Sequence, residues 1–182
     1  MPDRIGLVAV AIAAMVVSGA ACAAERYDFG QPATPAEIAG WDIDASPDGA
    51  GLPPGHGDVR QGEAIFAAKC ASCHGAHGEG KPMDRLVGGI GTLHDKKPEK
   101  TVGSFWPYAT TLFDYVRRAM PLNAPQSLTP DEVYAVSAYV LFLNGIVPQD
   151  TTLDAGTLAK IKMPNGDGFV SAYPAPSARA KP

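Results

Sequence analysis

Cys70-Ala71-Ser72-Cys73-His74 decides how the rest of this chain is read. Two thiols separated by two residues can add to the two vinyl groups of one haem, and the histidine that follows then falls over one face of the iron. A neutral imidazole is a good iron ligand. Structural zinc would need four protein ligands, and the only other cysteine is Cys22, near the N-terminus. A thioredoxin-like pair would follow a buried strand, whereas the residues before Cys70 carry a helical pattern. The motif occurs once, so the expectation is one covalently attached haem c, held by Cys70 and Cys73 with His74 on the iron.

Upstream of the motif, Asp58 is placed to cap a helix whose Val59, Gly62, Phe66 and Cys70 recur every three to four residues. Gly62 sits where a second helix can approach the backbone closely, and the last helix of the domain is the expected partner. Downstream, Gly75 to Pro107 reads as loop, punctuated by glycines at 75, 78, 80, 88, 89, 91 and 103. His77 and His94 are isolated loop histidines, and Lys81, Arg85, Lys96, Lys97 and Lys100 make a loosely basic stretch. Trp106 is a candidate to pack on the porphyrin or in the core.

The next helix begins near Thr111, with Leu112, Tyr115, Val116 and Ala119 on its apolar face and Arg117 and Arg118 at the end that favours cations. Pro121 stops it and leaves Met120 on a constrained turn, the natural place for a sixth iron ligand. Met83 lies nine residues after His74 in the same loop, and Met163 lies beyond the final helix, so neither competes well. Thr129-Pro130-Asp131-Glu132 opens that helix with a capping box and a proline at its first position. Val133, Val136, Val140 and Leu143 share a face, Tyr139 and Phe142 flank it, and Asn144-Gly145 supplies the stop.

The flanks carry different signals. Arg4, the apolar run Ile5 to Val17 and the small residues from Ser18 to Ala24 make residues 1–23 a secretory signal peptide, with Ala21-Cys22-Ala23 as the cleavage pattern. That predicts a periplasmic protein without a membrane span in its mature chain. A lipid anchor at Cys22 is not expected, because Gly19 stands where a lipoprotein site favours a larger aliphatic residue. Residues 24–57 are a Pro- and Gly-rich N-terminal extension with Trp41 and Ile43 as apolar anchors onto the domain or a partner. Residues 58–145 are the haem domain. Residues 146–182 are a C-terminal extension, its first part to Phe169 lying on the domain and Ser171 to Pro182 disordered. The 182 residues hold 15 basic and 19 acidic side chains, a net charge of −4 that argues against nucleic acid as a partner.

The order helix, Cys-x-x-Cys-His, Gly-rich loop, Met-Pro turn and C-terminal helix resembles a class I cytochrome c domain over roughly residues 58–145. The resemblance implies an all-α fold wrapped around one haem, with helices crossing near Gly62 and Tyr139, His74 and Met120 on the iron, and an exposed haem edge. Asp84-Arg85-Leu86-Val87-Gly88-Gly89, the run from Thr101 to Tyr115 and the run from Arg117 to Leu128 are similar to the SoxD-type cytochrome subunits of periplasmic molybdenum sulfite or sulfane dehydrogenases. So are Trp41 to Asp44, Gly51 to Gly55 and Lys162 to Phe169. Some SoxD-type proteins carry two haem domains and this chain carries one, which implies a single-haem partner of a sulfite dehydrogenase. The protein is then no enzyme itself: it accepts single electrons from the molybdenum subunit and hands them to a downstream cytochrome or oxidase. A freely diffusing shuttle with several partners is the alternative, and a haem enzyme with an open sixth position is a third reading.

Overall fold

The computed structural model describes residues 29–170 and residue 172. The signal peptide, Cys22 and nearly all of the segment expected to be disordered lie outside the described residues. Residues 29–34 are coil leading into helix α1 (Pro35–Trp41), and the described residues from Ala36 onward belong to one body.

The body is built on two helices, α2 (Val59–Lys69) and α6 (Pro130–Leu143). Asp58 caps α2 as its sequence predicts: its carboxylate accepts the Gln61 N–H at 2.8 Å while the Gln61 side chain accepts the Asp58 N–H at 3.0 Å. Thr129 and Glu132 close the corresponding box on α6, with Pro130 at its first position. Helix α6 is apolar nearly all round, and every residue from Val133 to Leu141 is buried. Gly62 is where it meets α2. A Cβ there would overlap the Ala135 carbonyl and lie 2.8 Å from the Tyr139 Cβ, so only glycine allows this approach. Phe66 and Tyr139 extend the contact with rings 5.4 Å apart.

Between the two helices run α3 (Ala71–His74), α4 (Val102–Phe105) and α5 (Ala109–Ala119). The stretch expected to be loop from Gly75 to Pro107 therefore contains helix α4, as well as one 3-10 turn at Thr92–His94. Thr101 and Ser104 form a buried capping box around α4, a signal present in the sequence but short enough to escape a periodicity reading. Helix α5 also differs from expectation: it starts at Ala109 and buries Ala109, Thr110, Leu112 and Phe113, whereas Tyr115 is 48 % exposed. Phe113 stacks on Tyr134 at 4.5 Å and turns the buried face toward α6.

Two short strands supplement the helical set. β1 (His56–Asp58) pairs antiparallel with β2 (Thr152–Asp154), placing Gly57 opposite Leu153. Gly57 lies against α6, where a Cβ would come within 2.6 Å of the Ala135 Cα. Beyond β2, Leu158 and Met163 are buried in the same core as Phe66 and Val133, and Lys162 bridges to Tyr108. The segment before β1 is fastened too. Tyr134 donates its hydroxyl proton to the Pro53 carbonyl at 2.8 Å, and Asp131 accepts the His56 N–H at 2.8 Å.

Candidate functional site

Cys70 ends α2 and begins α3, so the motif lies on a single helical turn. The Cys73 and His74 N–H groups both donate to the Cys70 carbonyl, at 3.1 and 3.0 Å. Residues three and four apart on a helix share a face, which aims both thiols and the imidazole the same way. Both cysteines are half-buried and unbridged. Burial pushes the Cys70 thiol up to about 11, against an opposing pull from Lys69, so it stays protonated at neutral pH.

The His74 ring is oriented by backbone. Its Nδ1 lies 2.8 Å from the Asp84 carbonyl oxygen, which only accepts, so Nδ1 carries the proton and Nε2 keeps a free lone pair. The loop that supplies this carbonyl folds back over the motif: Gly80 N–H donates to the His74 carbonyl at 2.7 Å and Met83 N–H to the Cys73 carbonyl at 2.9 Å. Gly75, at φ +84°, starts the reversal. Glu79 then accepts the His77 N–H at 2.8 Å, and backbone N–H groups, its own first among them, hold its carboxyl below the usual range.

Asn144 anchors the far end of the same loop. Its side chain donates to the Val140 carbonyl at 2.9 Å and the Leu86 carbonyl at 3.2 Å, and accepts the Gly88 N–H at 3.1 Å. Sequence reasoning treated Asn144 only as a helix stop, and the left-handed Gly145 at φ +69° does end the helix there. The extra role had no local signal, because its loop partners Leu86 and Gly88 lie 58 and 56 residues away.

Met120 comes from a different element. It is the C-cap of α5 in extended conformation, half-buried, with its N–H donating to the Val116 carbonyl at 3.1 Å. Two arginines beside it hold the preceding chain against α5. Arg118 makes a forked pair with Asp114 at 2.7 and 3.0 Å and a further bond to Asp44, while Arg117 donates to the Ile43 carbonyl at 3.1 Å. Trp106 is half-buried on the core with its ring edge-on to Tyr115 at 5.7 Å. His77 and His94 stand exposed, and among the described residues no group of three His, Cys, Asp or Glu side chains gathers as a metal site.

The donor set fits a covalent haem: two unbridged thiols on one face, an imidazole with Nε2 available, and apolar side chains left exposed on the adjoining loop and helix at Met83, Ile90 and Tyr115. No helix among the described residues is long and apolar enough to cross a membrane.

The comparisons agree with this chemistry. The cytochrome c family model matches residues 59–144. The crystal structure of the sulfane dehydrogenase SoxCD from Paracoccus pantotrophus contains a chain that is 45 % identical, with a TM-score of 0.75, over 83 % of this chain and 73 % of that one. None of the curated proteins compared matches. Motif, helix pair and structural likeness together make the chain a member of the cytochrome c family, a class I c-type cytochrome with covalently bound haem c.

Proposed function

We propose that this cytochrome is the electron-accepting subunit of a periplasmic sulfite or sulfane dehydrogenase, and that it makes and breaks no substrate bond itself. The observation that carries the reading is the 45 % identity, over most of both chains, to a chain of the sulfane dehydrogenase SoxCD. Haem c supplies a one-electron Fe(III)/Fe(II) couple. Cys70 and Cys73 would tether it, and His74 and Met120 would hold its iron. The Asp84 carbonyl fixes the His74 tautomer and ring orientation and raises the basicity of Nε2. Methionine opposite histidine raises the reduction potential, which suits acceptance of electrons from a dehydrogenase. With both residues on the iron, no position would be left there for substrate.

In this reading residues 1–23 direct export, the mature chain works in the periplasm, and a downstream cytochrome or oxidase takes the electron. The test is to purify the native protein gently, size it, assay the peak for molybdenum and add sulfite while following haem absorption. Co-elution with molybdenum and prompt sulfite-dependent reduction are expected. A monomer inert to sulfite and without molybdenum returns the protein to the role of a diffusing shuttle.

A further inference from the structure

Helix α1 buries none of its residues, yet it carries Trp41 at 85 % and Ile38 at 52 % exposure. The two are three residues apart and so lie on one side of the helix. The sequence offers Trp41 as an anchor onto the domain or a partner, and among the described residues it stands exposed; of the expected pair only Ile43 is half-buried. The chain just after Trp41 is nevertheless tied down. Arg117 holds the Ile43 carbonyl, Arg118 holds Asp44, and Asp114 accepts the Ala45 N–H at 2.8 Å.

A tryptophan presented on a fixed support is the side chain most enriched among binding hot spots, because it offers large apolar area at a small ordering cost. Its surroundings state what the partner must be. No Lys or Arg falls between Arg26 and Arg60, while Asp42 and Asp48 follow the helix, so the complement is an apolar recess rimmed by basic groups. Beside it a cleft of about 210 Å³, lined by Ile43, Arg117, Gln126, Leu128 and Pro130, is open to a side chain of the partner. A symmetric pairing of two copies would set this acidic flank against itself, which argues against a second copy of this chain. Two apolar side chains fall far short of the roughly 800 Å² per partner of a stable interface, so α1 works as one peg of a larger contact.

We infer that α1 docks the molybdenum-bearing dehydrogenase subunit, with Trp41 and Ile38 seated in a basic-rimmed apolar recess of that subunit. The inference rests on the proposed function. Because Arg117 and Arg118 lie three and two residues before Met120, the docked subunit would grip the helix that presents Met120.

The test uses the holoprotein and the molybdenum subunit purified from the same periplasm. Trp41→Ser with Ile38→Ser is expected to raise Kd at least tenfold, and Asp42→Lys to slow association and weaken its salt dependence. Haem spectrum, potential and Tm should stay at wild-type values, since the substituted side chains are exposed. Wild-type affinity in both variants overturns the docking inference and leaves the proposed function standing. A wild type that does not bind the molybdenum subunit overturns both. A wild-type homodimer that these substitutions dissociate gives the surface to a second copy instead.

Discussion

His74 is held by a backbone carbonyl, so the orientation of its ring was not legible in the sequence. The Asp84 side chain says nothing of its own C=O, and only the loop reversal after Gly75 brings that oxygen within 2.8 Å. For Met120 the Met-Pro pair made its place at the end of a helix legible, and it is the C-cap of α5. Replacing Met120 by Ala is expected to lower the midpoint potential by on the order of 0.1 V, within the span of about 0.8 V that axial ligands command, and to admit cyanide or carbon monoxide. A redox titration with an unchanged potential would remove Met120 from the ligand role. Asp114 yields a pH prediction. Burial opposes its ionisation, but the Arg118 guanidinium and the Ala45 N–H prevail and hold its carboxyl below the usual range. A carboxyl that binds its proton less readily folded than unfolded stabilises the fold fully above its unfolded pKa of about 3.9, and that contribution is lost as pH falls through the lower folded value. Asp114→Asn should therefore cost about 1–3 kcal/mol at pH 7 and flatten the acid limb of a Tm-against-pH curve.

At the scale of elements, what carried a capping signature was readable and what depended on a distant surface was not. Asp58 and the Thr129–Glu132 box marked both main helices, and Gly62 marked their crossing. Helix α4 was hidden because four residues hold too little periodicity, and the buried side of α5 was misjudged because Phe113 takes its direction from Tyr134 on another helix. The crossing is also the most sensitive point. Gly62→Ala puts a methyl into the Ala135 carbonyl, where backbone cannot yield as a side-chain tip would. Overpacking of this kind should cost about 1–3 kcal/mol, read as a lowered urea midpoint with an unchanged m-value.

At the scale of the molecule, the sequence suggests extensions lying on a separate domain, and the structure goes further by placing apolar residues of the C-terminal one inside the core itself. Val147, Leu153, Leu158 and Met163 all lie in the core. Their pattern was unreadable because they fall singly among Gly, Pro and polar residues, each meeting a surface made elsewhere. Burying each such side chain stabilises by roughly 1.5–3 kcal/mol, so together they rival the roughly 5–15 kcal/mol by which a whole domain is stable. A chain ended at Gly145, where the haem domain was expected to close, should therefore lack a cooperative thermal transition, which calorimetry or circular dichroism would check. The pairing of β1 with β2 has a further consequence in time. Contacts between residues so far apart in sequence slow folding, and a chain delivered N-terminus first exposes Cys70 and Cys73 long before Thr152 to Asp154 arrive. The last strand thus acts as a clock: its pairing with β1 cannot form until it is delivered, and the interval leaves both thiols open to modification in an unfinished chain.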